Sequence, residues 1–228
     1  MADITSITAI ILAGGKSTRI GVNKPQLKIG KGHLIDRVLD TLSQFTSSIL
    51  IVIAGDQAGL AKSSTPGARW VKDIYPGKGP LGGIYTGLMN AETSYSLVVG
   101  CDMPFLNSSL IKYMIDGASG FAAVAPKIGW RIQPLHAIYS KSCLPSIEAL
   151  IHEDQLQIIK LFNLVNTRYV TEKEIDQFDP DHLSFLNINT EGDLLKAEVL
   201  MGAQAQPGEC NKARLLKRWM QIKPSIPA

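Results

Sequence analysis

The first apolar run of the 228-residue chain ends in Leu12-Ala13-Gly14-Gly15-Lys16-Ser17-Thr18-Arg19-Ile20-Gly21-Val22-Asn23-Lys24-Pro25. Glycines at a strand end let backbone N–H groups approach an anion that any Cβ would exclude, and in an open α/β sheet ligands bind beyond the carboxyl ends of the strands. Arg19 and Lys24 bring two cations within reach of the same loop, and the combination makes a pocket for polyphosphate. Gly15-Lys16-Ser17 imitates the end of a Walker A loop, but the glycine required five residues earlier is Ile10, so that reading fails. A carboxylate, Asp102, follows a second apolar run in Val98-Val99-Gly100-Cys101-Asp102-Met103-Pro104-Phe105. Facing a loop that holds phosphates, it is placed to hold Mg²⁺, which takes one or two carboxylates and fills its shell with phosphate and water. Asp73 ends a further strand and points to the same edge. Alone, each carboxylate reads as a turn residue or a helix cap; with Gly14, Gly15, Arg19 and Lys24 they outline a cleft built from three strand ends.

A second glycine cluster, Gly77-Lys78-Gly79-Pro80-Leu81-Gly82-Gly83, formally matches GxGxxG, with Asp102 about 20 residues beyond it where a ribose-binding acid would stand. It is not in the first strand-to-helix turn, however, and several residues separate it from the strand before it. Pro80 is acceptable in a first helical turn. The alternative is that these glycines allow a helix to pack closely on the sheet. Other chemistries lack their signatures. His33, His136, His152 and His182 show no metal-ligand spacing and read as structural or surface residues, and Cys101, Cys143 and Cys210 form neither a disulfide framework nor a CxxC pair.

The elements that must position these loops follow from periodicity. Strand-like runs at Ile7–Leu12, Ile49–Ala54, Arg69–Lys72, Tyr95–Gly100 and Phe121–Pro126 alternate with helical ones, the pattern of a mostly parallel sheet covered on both faces. Leu34, Ile35, Val38, Leu42 and Phe45 make one helix face, Leu81, Ile84 and Leu88 another, and Leu110, Ile111, Met114 and Ile115 a third, capped by Asn107 or Ser108. Arg131–Tyr139 reads as a strand with Pro134 inside it, hence an edge or bulged strand. Ser142–Leu164 is mixed helix. Thr190-Glu191-Gly192-Asp193 is a capping box that opens a helix over Leu194–Met201.

Composition sets the outer bounds. Hydrophobic residues are 45% and charged residues 19%, which suits a soluble globular chain with a real core, and no apolar run is long enough to span a membrane. The start, Met1–Ser6, lacks a basic segment and an apolar signal core, so a cytoplasmic location is expected. Residues 202–228 carry 5 basic residues against 1 acidic, leaving 18 against 19 in the rest of the chain. A nearly neutral body argues against a nucleic-acid-binding surface spread over the fold. The expected division is a domain over 1–201, then a linker and basic amphipathic tail over 202–228.

Four spaced motifs then carry a resemblance: Leu12-Ala13-Gly14-Gly15-x-Ser17-x-Arg19-x-Gly21-x-x-Lys24-Pro25; Gly79-Pro80-Leu81-Gly82-Gly83-Ile84; Cys101-Asp102-Met103-Pro104-Phe105; and Phe185-Leu186-Asn187-Ile188-Asn189-Thr190. In order and spacing the chain resembles the molybdenum cofactor guanylyltransferase family over roughly its first 200 residues. The resemblance implies a three-layer, open, mostly parallel α/β sheet of the nucleotide-diphospho-sugar transferase type. It also implies transfer of GMP from GTP to the terminal phosphate of molybdopterin, with release of pyrophosphate. By the same resemblance Leu12, Ala13, Gly14, Gly15, Gly79 and Gly82 contact the nucleotide, Arg19 and Lys24 bind phosphates, Asp73 helps hold the nucleoside, and Asp102 binds Mg²⁺. Asn187 and Asn189 fall in the part associated with the pterin, and molybdoenzymes or cofactor-assembly proteins are the implied partners. Ile20 replaces the commoner Met, a volume-conserving change. Ala54-Gly55-Asp56 stands where members often place an asparagine near the nucleoside, so no ligand is assigned there. Cytidylyl relatives commonly read Leu-Ala-Ala-Gly in the first loop, so Gly14 marks the guanylyl form. The alternatives are a cytidylyl or sugar-phosphate nucleotidyltransferase and a GTP-binding accessory protein for molybdoenzyme assembly.

Overall fold

Ile7, Ala9 and Ile11 point to one side of the first strand and Ile10 and Leu12 to the other, and all are buried. A strand apolar on both faces must be covered on both faces, and this one, β1 (Thr8–Leu12), lies near the middle of the sheet. The computed structural model describes residues 6–14, 27–30, 32–55 and 68–205. Within them β1 pairs in parallel with β4 (Ile49–Ile53) and β6 (Tyr95–Gly100), and β4 with β5 (Ala68–Lys72). On the other side of β6 come β9 (His136–Ser140), β7 (Ala123–Ile128) and β10 (Thr167–Thr171), giving the order β10-β7-β9-β6-β1-β4-β5. Only β9 and the two-residue β8 (Arg131–Ile132), which pairs with β7, run against the rest. A small hairpin, β2 (Lys28–Ile29) with β3 (Gly32–His33), stands apart.

Helices close both faces. α1 (Leu34–Leu42) and α3 (Ser108–Asp116) cover one, burying Ile35, Val38, Leu39, Leu42, Leu110, Ile111 and Met114. α2 (Gly79–Asn90), α4 (Leu144–His152) and α5 (Ile159–Phe162) cover the other. Asn107 caps α3 as expected, its side chain accepting from Leu110 N–H at 3.0 Å. The short α6 (Glu172–Ile175) follows β10. α7 (Glu191–Ala205) opens with the expected box: Asp193 accepts from Thr190 N–H at 2.9 Å and Thr190 Oγ1 accepts from Asp193 N–H at 3.1 Å. α7 then runs past Met201 to Ala205, since Ala203, Gln204 and Ala205 are good helix formers. Residues 206–228, which hold the end of the expected linker and all of the basic tail, lie outside the described residues. No helix among the described residues is long and apolar enough to cross a membrane.

Two sequence readings change. Arg131–Tyr139 is not one edge strand: β8 ends at Ile132, Gln133–Leu135 form a turn, and β9 enters the middle of the sheet between β6 and β7. Pro134 sits in that turn, where its missing N–H costs no ladder bond, and its carbonyl accepts from Tyr139 Oη at 2.8 Å. The GxGxxG-like cluster divides into two roles. Gly77 and Gly79 have φ of +86° and +63°, the left-handed conformation that favours glycine, and form the turn into α2. Gly82, Gly83 and Gly87 let α2 settle on its neighbours: a Cβ on Gly83 would lie 3.1 Å from Leu12 Cδ2, and one on Gly87 only 2.6 Å from Ile10 Cγ2.

That last contact sets two effects against each other. Alanine at an ordinary helical glycine gains about 1 kcal/mol in helix propensity, whereas overpacking a core costs about 1–3 kcal/mol. Gly87→Ala is predicted to lower the thermal midpoint, because Ile10 is fully buried at the sheet centre and has no room to withdraw. A raised midpoint in calorimetry would show instead that α2 and β1 separate easily.

Candidate active site

Every parallel strand delivers its carboxyl end to one edge of the sheet, and there the backbone stays tied together past the strands themselves. Ala13 N–H donates to Val52 O at 2.9 Å, Asp73 N–H to Ile53 O at 2.9 Å and Cys101 N–H to Leu12 O at 3.2 Å. The carboxyl ends of β6, β1, β4 and β5 thus stand side by side, and β1 and β6 are the neighbours whose connections leave in opposite directions. An open α/β sheet forms its crevice at such a switch point.

Asp102 stands at this point. It is half-buried, and its carboxylate folds back over the end of β6, where a Cβ on Gly100 would meet Asp102 Oδ1 at 2.5 Å. Gly100 is therefore a condition for this carboxylate position. The Asp102 carbonyl accepts from Ile188 N–H at 2.9 Å. Ile188 is fully buried with Leu27, Ile29, Leu34, Phe105 and Ala197, so the exposed Asn187 and Asn189 on either side of it are brought to the Asp102 loop. Sequence alone gives no sign of that backbone bond.

Asp73 occupies the far end of the edge. It is buried, and its Oδ1 accepts from Thr86 Oγ1 at 2.8 Å and from Tyr75 N–H at 3.0 Å, while Thr86 Oγ1 accepts from Ile74 N–H at 2.9 Å. Thr86, on α2, is a partner that sequence reading missed. β6 and β5 are three strand spacings apart, roughly 14 Å, so Asp102 and Asp73 stand too far apart to share one ion. Gly79 and Gly82 belong to the turn and first residues of α2 beside Asp73. The turn is latched by Lys78 Nζ on Asp154 Oδ1 at 2.8 Å.

Leu12 and Ala13 end β1 between these two carboxylates. At Gly14 a Cβ would lie 3.0 Å from both Ala54 Cβ and Ala54 N, so glycine here lets the β1 loop close on the end of β4. Gly15, Arg19 and Lys24 lie outside the described residues. No group of three or more His, Cys, Asp or Glu suited to a metal ion occurs among the described residues. A magnesium ion needs no such cluster, since one carboxylate plus phosphate oxygens and water suffice. A separate groove of about 350 Å³, lined by Arg37, Asp40, Pro104–Asn107 and Asp179 among others, opens behind the Asp102 loop on the α1 side.

Level with Val99, just inside the edge, β9 places His136. The ring is fully buried against Phe185, with centroids 5.1 Å apart, and neither ring nitrogen finds a partner among the described residues. Burial pushes its pKa down to about 4, only partly offset by the Asp179 carboxylate. The unfolded chain takes up this proton near pH 6.5 and the folded chain refuses it until about pH 4, so stability is lost as pH falls through that window. Between pH 7 and pH 5 the loss from this one group is predicted to be roughly 2 kcal/mol. His136→Phe, which keeps the ring contact, should remove that part of the pH dependence in denaturant titrations; identical pH slopes in the two proteins would refute the assignment.

Comparison with known proteins points in one direction. Residues 9–165 match the family model described as the MobA-like NTP transferase domain. A probable molybdenum cofactor guanylyltransferase of Pelotomaculum thermopropionicum is 36% identical over 193 residues, covering 85% of this chain and 92% of that protein. The crystal structure of molybdopterin-guanine dinucleotide biosynthesis protein A from Archaeoglobus fulgidus superposes with a TM-score of 0.75 at 27% identity, covering 86% of this chain and 99% of that one. The 2-C-methyl-D-erythritol 4-phosphate cytidylyltransferase of Thermus thermophilus, at 16% identity and a TM-score of 0.64, covers 86% of this chain and 98% of that one and shares the fold.

Proposed function

The chain belongs to the MobA-like NTP transferase family, that of the molybdenum cofactor guanylyltransferases, and we propose that it joins GMP from GTP to the terminal phosphate of molybdopterin and releases pyrophosphate. The observation that carries this reading is Asp102 at the switch point of the sheet, beside the end of β1 and joined through its carbonyl to Ile188, between Asn187 and Asn189. In the proposal the nucleotide lies over β1, β4 and β5, touching Leu12, Ala13, Gly14 and Gly15, with Gly79 and Gly82 bordering it. Asp73, oriented by Thr86, helps hold the nucleoside, and Arg19 and Lys24 meet the phosphates. Molybdopterin lies on the other side, beside Asn187 and Asn189.

A phosphate monoester has lost most of its second proton at neutral pH, with a second pKa near about 6, so its oxygen needs no strong base to attack the α-phosphorus in line. Catalysis can then rest on positioning and on fixed charge that offsets the triphosphate and the leaving pyrophosphate. The donor at Asp102 fits magnesium: a single hard carboxylate, held over Gly100, with the rest of the shell left to phosphate and water. Asp102 would hold the ion, and when bound it would supply further neutralisation of phosphate charge. Cys101 and Cys143 are buried thiols that form no disulfide, which suits a reducing compartment, and we place the enzyme in the cytoplasm.

Purified protein given GTP and molybdopterin should release pyrophosphate only when both are present; no release under those conditions would overturn the reading. Asp102→Ala should cut turnover by about a hundredfold or more with an unchanged thermal midpoint, since the carboxylate stands at the edge of the core. Activity near wild type in the folded variant would remove Asp102 from the chemistry.

Base choice supplies a second test. Wild type should use GTP in preference to CTP. Gly14→Ala forces the β1 loop away from Ala54, narrowing the space over it, and should erode GTP use more than CTP use in competition assays. A wild type that prefers CTP would move the protein to the cytidylyl branch.

A further inference from the structure

The half of the edge beyond Asp102 carries an aromatic residue that nothing in the fold requires. β7 and β8 meet in a tight hairpin with Gly129 (φ +57°) and Trp130 at its tip, and Trp130 is 80% exposed. The hairpin is held: Gly129 N–H donates to Glu172 Oε2 of α6 at 3.0 Å, and Ile128 pairs with Arg131. One face of the indole is covered by Arg131, whose Cζ is 4.9 Å from the ring centroid. Such a contact pre-orients the ring and leaves its apolar bulk in water.

Its position in the sheet says what it faces. β7 runs parallel to β6, so its carboxyl end emerges on the same edge as Asp102. Val99 is level with His136, and the β7–β9 register puts Pro126 level with both, so the Gly129–Trp130 tip, one step past the Ile128–Arg131 pair, stands about three residues beyond that line. Laterally it is two strand spacings from β6, roughly 10 Å, on the side away from β1, β4 and β5. Guanine over the β1–β5 half is out of its reach. A planar fused-ring acceptor whose phosphate lies at Asp102 and whose rings extend over β9 reaches the tip.

We propose that Trp130 is a stacking platform for the pterin of the acceptor, with Arg131 as its brace. The assignment rests on the guanylyltransferase reading and adds to it a residue that selects planar acceptors. Trp130→Ala should raise the KM for molybdopterin roughly tenfold, the size of one lost aromatic stack, with GTP affinity and thermal midpoint at wild-type values. Trp130→Phe should keep most of the affinity that Trp130→Ala loses. In a fluorescence titration, molybdopterin should quench emission in wild type and much less in Trp130→Phe, which retains Trp70 and Trp219.

A Trp130→Ala enzyme with wild-type KM for molybdopterin overturns the proposal. So does a defect in GTP affinity instead, or one that follows a change in oligomeric state in light scattering, which would make the tip a contact between copies. If wild type releases no pyrophosphate with GTP and molybdopterin, the guanylyltransferase reading fails, and the titration still decides whether a pterin stacks on Trp130.

Discussion

The close approach of α2 to the sheet is the constraint on which the rest of this site depends. Glycines at 82, 83 and 87 weaken a helix of 12 residues, yet each occupies a place where a methyl group would strike Tyr75 O, Leu12 or Ile10. With α2 pressed down, Thr86 reaches Asp73, and the Gly77–Gly79 turn is brought to the strand edge beside it. Raising the helix by the radius of one methyl would stretch the Thr86–Asp73 bond and lift the turn away from the β1 loop. The core and the nucleotide half of the site are therefore one packing problem, solved by the same side chains.

Asp102 divides the edge into two halves of different construction. On the β1–β5 side the groups are backbone turns and a buried, hydrogen-bonded carboxylate, which suit a rigid nucleotide. On the β9–β10 side the group is a braced indole, which suits a ring system entering from solvent. The divide coincides with the point where the chain reverses its winding, so in the proposed arrangement the two substrates meet where the two halves of the fold do.

Much of this was legible in the sequence because the determinants are local. Ile49–Ile53 and Tyr95–Gly100 are apolar runs too short for buried helices; Leu34, Ile35, Val38 and Leu42 repeat at helical spacing; Asn107 and the Thr190–Asp193 box announce helix starts. The glycine loops and strand-end carboxylates could be read because backbone freedom and charge at a strand end have few other uses. What escaped depends on partners distant in sequence. Thr86 acquires its role only through Asp73, and Ile188 through the carbonyl of Asp102. Pro134 signals an irregularity, but the expected single edge or bulged strand is two strands with the proline in the turn between them. Local pattern does not encode that the strand after it inserts between β6 and β7, although the apolar Ala137, Ile138 and Tyr139 hint at cover on both faces.

The reversed direction of β9 has a consequence for how such a protein can change. The connection on the nucleotide side that the structure describes in full, from β5 through α2 to β6, is a helix crossing the sheet, and altering its length would disturb a packed layer. β9 instead presents its beginning to the catalytic edge, so the chain from β7 to β9 is a surface hairpin with no crossover to rebuild. Residues can be added between Gly129 and Trp130, at the tip, without shifting the register of β9 on β6 or β7. The acceptor side is consequently the evolvable half of the molecule: a lineage could acquire a new phosphorylated partner by reshaping one tip while the machinery that reads the base is inherited intact.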